Sequence, residues 1–400
     1  MKKLLSKKYL SMLVCLFILI SNPIYTSRAY VFAETNQSEV EIELKENVNE
    51  QLGNLDMSEL DQILSEVSNG VALFEKESFS SKVKKMITGE IAVDANSLFA
   101  YVADVFIDDI LSFLPSICLI IAIAVLYSML SNVGEGKNKK ITDIVHFVCY
   151  GSIVIIVITG LANIINLTSS TIGGIGKQMN ALFPILLTVL TALGGTASVS
   201  IYHPAMAILS SSVINVFTGI LLPIFTFKII FNIISNLTSG IKFNKFAEFF
   251  GSCYKWIIGI ILTIFSAFVS IQGLMAGSVD GISIRTAKYT IKSGVPIIGG
   301  FLADGVSLIM VSSSLIKNAV GMGGLLLMFC TIIVPLVKII VFSFLMKFAS
   351  AILEPIADSR VSCFINDMSK AIAMIISLIL GVAFMYFILV GLVMCSANVF

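Results

Sequence analysis

The feature that most constrains this chain is the nearly continuous apolar sequence that begins close to residue 110 and runs to the C-terminus. A membrane-spanning helix needs about 20 mostly apolar residues, and several runs in this part of the chain reach that length. Over all 400 residues, 57% are hydrophobic and only 13% are charged, whereas soluble domains carry about 25% charged residues. The sequence therefore predicts an all-α, polytopic helical membrane protein.

The first 33 residues have the pattern of a cleaved signal peptide. Lysines precede a short apolar run, Leu10–Ile20, and small or aliphatic residues, Val31 and Ala33, lie three positions and one position before the expected cut. Cleavage after Ala33 would place the following residues outside the cytoplasmic membrane. An uncleaved first span is the alternative interpretation.

Residues 34–105 form an acidic segment that we expect to be small, helical and extracytoplasmic. Thirteen acidic residues stand against five lysines in the range Glu34–Glu90, a net charge of −8, which argues against nucleic acid as a partner. Apolar residues recur with helical spacing around Leu60 and again around Val83, and Ser58 is placed to cap the first helix. The segment either docks on the membrane domain or a partner, or it serves as a solvated spacer.

The membrane domain, residues 106–400, is expected to cross the bilayer seven to ten times. The linker between the first two spans carries Lys137, Lys139 and Lys140, which by the positive-inside rule makes it cytoplasmic. This orientation agrees with an exported N-terminus. The predicted spans are Ile110–Leu130, Ile141–Ile165, Ala181–Ser198, Ala205–Leu222, Trp256–Val269, Pro296–Ile316, Gly321–Val337 and Ala371–Met394.

Two apolar runs, Ala205–Leu237 and Gly321–Leu353, are too long for one span, and each is interrupted by a proline and a lysine. Each run fits a long kinked helix, a span followed by a half-helix, or a tight pair of spans. The prolines, Pro223 and Pro335, are 112 positions apart, as are Pro184 and Pro296. This spacing favours an internal repeat, 181–276 and 293–396, of the kind found in many transporters, with chance similarity within apolar sequence as the alternative.

A polar stretch at the junction of the two predicted repeats, Ser270–Tyr289, is the main candidate for a site. It follows the apolar run Trp256–Val269, and we expect its backbone to leave regular helix and line a cavity or a subunit contact. An ordinary polar loop is the alternative. The residues 242–255, with lysines and phenylalanines interleaved, predict an interfacial amphipathic helix.

Charged residues inside spans also need an explanation, because each costs about 2.5–3.5 kcal/mol at the centre of a membrane helix. Asp304, with one of the lysines, is expected to form a buried pair or to line a pore. Lys317 and Lys347 are expected to extend their ammonium groups to the lipid headgroups. For Lys228 and Lys338, which follow the prolines, a functional role and a headgroup contact both stay open. The candidate pore or contact residues are Gln272, Gly273, Asp280, Gly281, Arg285, Lys288, Asp304, Lys228 and Lys338.

The sequence offers no catalytic constellation, no cofactor motif and no zinc motif, so an enzyme is not expected. The seven cysteines lie in or beside apolar runs and the chain has two histidines, a distribution typical of inert, buried thiols. Asp108 and Asp109 precede the predicted first span, and adjacent residues of a helix point apart.

Three motifs resemble the stage III sporulation protein AE family of endospore-forming Firmicutes. They are Ser270–Gly273 with Asp280–Tyr289, Leu315–Met322, and Ala181–Leu187. The resemblance covers most of the chain from about residue 100. It implies a non-enzymatic subunit, export gate or scaffold, of the channel-like, secretion-like complex that joins mother cell and engulfed forespore and supports late forespore gene expression.

The resemblance also implies the surroundings of the protein. The partners are then the lipid bilayer, other stage III sporulation proteins and a second copy of the chain, with no nucleic acid. The location is the mother-cell membrane around the forespore, with the N-terminal segment extracytoplasmic. A secondary transporter or permease, with a polar site at the repeat junction, is the alternative function.

Overall fold

Helices make up the regular structure of this computed structural model wherever it describes the chain, which is residues 37–68, 77–90, 95–134, 139–237, 243–294, 299–356 and 359–396. The predicted signal peptide lies outside these residues. The helices are α1 (Gln37–Gly53), α2 (Ser58–Ser68), α3 (Phe79–Thr88), α4 (Ala95–Gly134), α5 (Lys139–Ala192), α6 (Thr196–Val216), a π-helical turn (Phe217–Leu221), α7 (Leu222–Leu237), α8 (Asn244–Gly294), α9 (Gly299–Leu353) and α10 (Ser359–Cys395).

Six helical stretches in the described part of the chain are long and apolar enough to cross a membrane. They lie in α4, α5, the stretch from α6 to α7, α8, α9 and α10. The prediction of an all-α, polytopic membrane protein is therefore confirmed. Helices α5 and α9 have 54 and 55 residues, which corresponds to about 80 Å at 1.5 Å per residue. Both therefore extend well beyond a hydrocarbon core of about 30 Å.

Two pairs of predicted spans form single helices. Residues 141–165 and 181–192 both belong to α5, and residues 299–316 and 321–337 both belong to α9. Residues 166–180, the polar and glycine-rich part of α5 between two of the predicted spans, do not end the helix, because they pack against other helices. A Cβ added at Gly176 would lie 1.9 Å from Cδ1 of Ile214, so this glycine allows a close approach of α5 and α6. With these pairs merged, the described part of the chain has six long apolar helices, compared with the seven to ten crossings expected for the membrane domain.

The two long proline-containing runs each form one long helical stretch, the first of the three alternatives. Residues 205–237 continue from α6 through the π-helical turn into α7, and Gly321–Leu353 lies within α9. The π-helical turn ends just before Pro223, and the N–H of Leu222 bonds to the carbonyl oxygen of Phe217. Such a turn accommodates the proline, which has no N–H to continue the regular pattern.

The internal repeat stays a prediction. In both halves, a helix with a proline is followed by a short connection and a long helix, α7 then α8, and α9 then α10. The first half also has a turn between α5 and α6, where Gly194 adopts a φ of 82°. The second half, 112 positions later, is uninterrupted helix in α9.

Helices α9 and α10 form an antiparallel hairpin at the centre of the membrane domain. Ser343 and Ser369 exchange hydrogen bonds between hydroxyl and carbonyl oxygen, at 3.1 and 2.8 Å. Ser350 and Ser362 form a second reciprocal pair, at 3.0 and 3.3 Å. The two pairs are seven residues apart on each helix, so they lie on the same face two turns apart. Small polar residues in these positions let the two backbones approach closely.

The described residues 47–68 and 77–90 of the acidic segment dock on the membrane domain, so the spacer interpretation is wrong for them. Leu60 of α2 and Val83 of α3 are fully buried. A Cβ added at Gly323 of α9 would lie 2.9 Å from the Phe79 ring, which shows how closely α3 lies on α9. Residues 37–46, the first part of α1, belong to a separate compact unit.

Two local expectations for the N-terminal part need correction. Ser58 is the first residue of α2 rather than its cap, and its N–H and hydroxyl both donate to the carboxylate of Asp56, at 3.1 and 2.6 Å. Helix α4 begins at Ala95 and is apolar enough to span from Phe99. Asp108 and Asp109 therefore lie inside the first long apolar helix and not before it.

Candidate functional site

Helix α9 carries a row of polar side chains that bond to other helices, and we call these seven residues the polar row. Because α9 contacts α3, α4, α5, α8 and α10, the partners of the row come from several directions. The polar row consists of Ser312, Ser313, Lys317, Thr331, Lys338, Ser343 and Ser350.

The ion pair of the polar row joins Lys338 to Asp109 of α4. Its Nζ and Oδ1 atoms are 3.7 Å apart, and the side chains are 41% and 12% exposed. The Oδ2 atom of Asp109 is buried and has no hydrogen-bond partner among the described residues. One turn further along both helices, the rings of Phe113 and Phe342 pack with centroids 4.9 Å apart. Since both pairs advance in the same direction, α4 and α9 run parallel here.

This pair differs from the one that the sequence predicted, in which Asp304 was the acidic partner. Sequence reasoning missed Asp109 because it was assigned to the segment before the first span. The available signal was the mostly apolar sequence on both sides of it, Phe99–Ile107, interrupted by Asp104, and Ile110–Phe113, which already favours a charged residue in a membrane helix. The two adjacent aspartates do point apart: Asp109 is buried and Asp108 is exposed.

Lys317 is fully buried, so the prediction that it extends to the headgroups is wrong. Its ammonium donates a hydrogen bond to the carbonyl oxygen of Ser396 at the end of α10. The hydroxyl of Ser396 is also 2.8 Å from the hydroxyl of Tyr202 in α6. Three helices therefore meet at this lysine, which the sequence cannot show. Lys347, in contrast, is exposed close to the end of α9, as expected of a side chain that reaches the headgroups.

Gln178 of α5 bonds to Thr331 of the polar row. Its Nε2 atom donates to the hydroxyl of Thr331, and its Oε1 atom is buried without a hydrogen-bond partner among the described residues. Gln178 itself is fully buried. An unpaired buried amide oxygen costs about 1–3 kcal/mol. Gln178 is therefore, like Asp109, a buried polar residue whose presence helix packing alone does not explain.

The polar stretch that the sequence singled out is helical, so the expected departure from regular helix is wrong. Helix α8 continues through it to Gly294. Gln272 is partly buried and Gly273 lies against Leu392, since an added Cβ would be 3.3 Å from its Cδ1 atom. The side chains of the other candidate residues in this part of the chain, Asp280, Gly281, Arg285, Lys288 and Asp304, lie outside the described residues.

Gln272 lines a cavity of about 520 Å³ between α6, α8 and α10. The cavity walls are mostly apolar, and Ser212 and Gln272 are its two polar lining residues. Its lining includes Pro204, Ser212, Val213, Ile264, Phe265, Phe268, Gln272 and Met385. Such walls suit an acyl chain or an apolar side chain better than a charged substrate.

Lys228 lies where α7 packs against α8. Its stem crosses Gly251, and a Cβ added there would be 3.2 Å from Cε of the lysine. Residues 244–255, where the sequence predicted an interfacial amphipathic helix, form the first three turns of α8 and continue into its apolar part. Within the described ranges, no three His, Cys, Asp or Glu side chains are grouped as a metal site requires.

Comparison with known proteins gives the family. Residues 77–397 match the family model described as "Stage III sporulation protein AE (spore_III_AE)", which is most of the chain. This chain belongs to the stage III sporulation protein AE family. It is 26% identical over 285 residues to the stage III sporulation protein AE of Bacillus subtilis (strain 168), covering 71% of each chain. No solved structure matches the chain.

The part of the chain shared with the stage III sporulation protein AE family contains the whole polar row. It begins at Glu77 and so includes α3, the helix that packs on Gly323 of α9. Helices α1 and α2 precede the matched residues. The docked helix α3 is therefore part of the family's shared domain, together with the six long apolar helices.

Proposed function

We propose that this protein is a non-enzymatic membrane subunit, an export gate or scaffold, of a channel-like complex between mother cell and forespore. In this role it is needed for late forespore gene expression and development. The observation that carries the proposal is the family match over residues 77–397. Other stage III sporulation proteins, and further copies of this chain, are its proposed partners in the mother-cell membrane around the forespore.

The polar row supports a scaffold role. Its members bond to neighbouring helices, as Lys338 does to Asp109 and Ser343 does to Ser369. Interhelical hydrogen bonds of this type are worth about 0.6 kcal/mol each on average, so a row of them fixes the relative positions of several helices. A rigid bundle of this kind is what a subunit needs to hold partners in a defined arrangement.

Helix α8 offers the surface through which such a subunit would meet lipid or partners. The most apolar part of α8 is only 11% buried, compared with 56% for α10. Its exposed apolar residues include Phe249, Trp256, Ile260, Ile264 and Ile271. A second function, a permease with Gln272 at its site, is favoured by the 520 Å³ cavity, although its apolar walls do not suit a polar substrate.

The proposed orientation places the N-terminal helices outside. Helices α4 and α9 run parallel, and Gln51 of α1 bonds to Ser312 and Ser313 near the start of α9. If each long helix crosses once, the N-terminal helices and the end of α10 share one side, and the end of α4, where the positive-inside rule predicts the cytoplasm, lies on the other. In a cysteine-free variant, a cysteine placed at the exposed Ser65 should react with a membrane-impermeant maleimide added to intact cells.

The proposal is tested by deleting the gene in the sporulating host and measuring a reporter of late forespore gene expression. Loss of expression that the wild-type chain restores is the expected result, and normal expression after deletion would refute the proposal. Asp304→Asn and Arg285→Ala then separate the two functions. If these substitutions block sporulation while the complex still co-purifies, the result supports the permease or pore function. If the complex no longer co-purifies, the result supports the scaffold function. If sporulation is unaffected, neither residue belongs to the site.

A further inference from the structure

Three lysines and one aspartate form a basic cluster where α7, α8 and α10 meet. We define it as Lys228, Lys255, Asp367 and Lys370. Lys370 and Asp367 form an ion pair of 2.8 Å. Asp367 also attracts the ammonium of Lys228, while Lys255 and Lys370 repel it. The cluster therefore has an excess of two positive charges.

The three lysines lie within about 8 Å of one another along the bundle, with Lys228 and Lys370 level with Phe250 and Lys255 somewhat further along α8. Lys228 is nine residues before the end of α7, and Lys255 and Lys370 are each eleven residues after the starts of α8 and α10. At 1.5 Å per residue, these positions are about 14–17 Å from the helix ends. Helices α7 and α8 form an antiparallel hairpin, as contacts between Phe227 and Phe250 and between Phe231 and Phe246 show, so these ends lie together.

Helix α10 brings its lysine to the same place because it runs parallel to α8. The hydroxyl of Tyr254 donates a 2.8 Å hydrogen bond to the carbonyl oxygen of Met374. Further along both helices, Gly273 lies against Leu392. Lys370, one turn before Met374, therefore lies beside the second turn of α8, near Phe250.

The surface around the basic cluster is aromatic and open. Trp256, next to Lys255, is 73% exposed, and Phe227, next to Lys228, is also exposed. Lys255 and Lys370 are exposed as well. Aromatic rings and lysines close together near one end of a bundle are typical of the boundary between hydrocarbon and headgroups, where an ammonium group reaches phosphate while its stem stays in apolar surroundings.

We propose that the basic cluster is a binding site for the phosphate of an anionic phospholipid. A phosphate there would offset the repulsion among the lysines and would form charge-assisted hydrogen bonds with their ammonium groups. Basic groups held between membrane helices at headgroup depth are suited to anionic lipid. The acyl chains of such a lipid would lie along the exposed apolar face of α8.

The chain carries a built-in reporter for this site, because Trp256 is its only tryptophan. The full chain is reconstituted in vesicles that contain either brominated phosphatidylglycerol or brominated phosphatidylcholine, and the quenching of Trp256 fluorescence is measured for each. We expect the anionic lipid to quench more strongly at equal mole fraction. Removing one lysine with Lys255→Gln should reduce the preference about fivefold, since a lysine near the surface contributes on the order of 1 kcal/mol.

The matched control is Lys347→Gln, an exposed lysine near the end of α9 that is not part of the basic cluster. It should keep the wild-type preference, and Lys370→Gln should lower it. Equal quenching by the two lipids in the wild-type protein would overturn the proposal, as would a preference that Lys255→Gln and Lys370→Gln both retain. If inorganic phosphate at matched ionic strength abolished the preference, the site would belong to free phosphate and not to lipid.

Discussion

The hydroxyl of Tyr386 in α10 donates a 3.1 Å hydrogen bond to the carbonyl oxygen of Gly324 in α9. A Cβ added at this glycine would lie 2.3 Å from Cδ2 of Leu182 in α5 and 3.1 Å from the Tyr386 hydroxyl oxygen. Leu182 and Tyr386 are both fully buried, so neither side chain has free space to move into. The absence of a side chain at position 324 is therefore what allows three helices to meet.

Gly324→Ala should destabilise the protein, because the added methyl group forces Leu182 or Tyr386 to move in a close-packed interior. Overpacking of this kind costs about 1–3 kcal/mol, and the melting temperature in detergent, followed by circular dichroism, measures it. Gly305→Ala is the matched control on the same helix, since nothing lies within 4 Å of a Cβ at that position. Equal melting temperatures for the two variants would contradict the close packing at Gly324.

Removal of one partner of the ion pair between Asp109 and Lys338 should destabilise the protein more than removal of both. Breaking a fully buried pair costs about 3–5 kcal/mol, and here we expect about 1–2 kcal/mol because Lys338 is partly exposed. The variants are Asp109→Leu, Lys338→Met and the double substitution, compared by thermal unfolding in one detergent. A double-mutant cycle then gives the coupling energy of the pair.

The matched control for this cycle is Asp108→Leu, on the exposed face of the same turn of α4. It should show no coupling to Lys338→Met. Additive effects of Asp109→Leu and Lys338→Met would mean that the 3.7 Å approach contributes nothing to stability.

The fold class follows from the sequence because hydropathy depends on composition over windows of about 20 residues. Leu60 and Val83 were also predicted to lie on apolar helix faces, and both are buried. Helix boundaries were less predictable. The polar residues between residues 165 and 181 looked like a connection, yet Gln178 lies inside α5 because Thr331 of another helix satisfies part of its hydrogen bonding.

Partners of polar residues were not predictable, since they depend on which helices meet. Lys317 lies near one end of a predicted span, and only the fold shows that the end of α10 covers it. Asp109 pairs with a lysine more than 200 positions away. A single sequence contains no signal that relates such distant residues, and therefore Asp304 and Asp109 could not be ranked as partners for the lysines.

Substitutions at Lys317 should separate burial from a headgroup contact. Lys317→Met removes the charge together with its hydrogen bond and keeps most of the volume, so we expect a change within about 1 kcal/mol. Lys317→Glu places a carboxylate against the carbonyl oxygen of Ser396 and should cost several times more. Thermal unfolding measures both, and similar melting temperatures for the two variants would indicate a solvated side chain. Lys347→Glu, at an exposed position, is the control for the charge reversal itself.

The hydrogen bonds of Gln51 should stabilise the contact between the N-terminal helices and α9. Its amide donates to Ser312 at 2.9 Å and accepts from Ser313 at 2.7 Å, and each such bond contributes about 1 kcal/mol. Gln51→Ala should therefore raise amide hydrogen exchange in α2 and α3, whereas exchange in α10 stays unchanged. Gln62→Ala, at an exposed position of α2, is the control. If both variants exchange like the wild-type protein, burial of Leu60 and Val83 alone holds these helices in place.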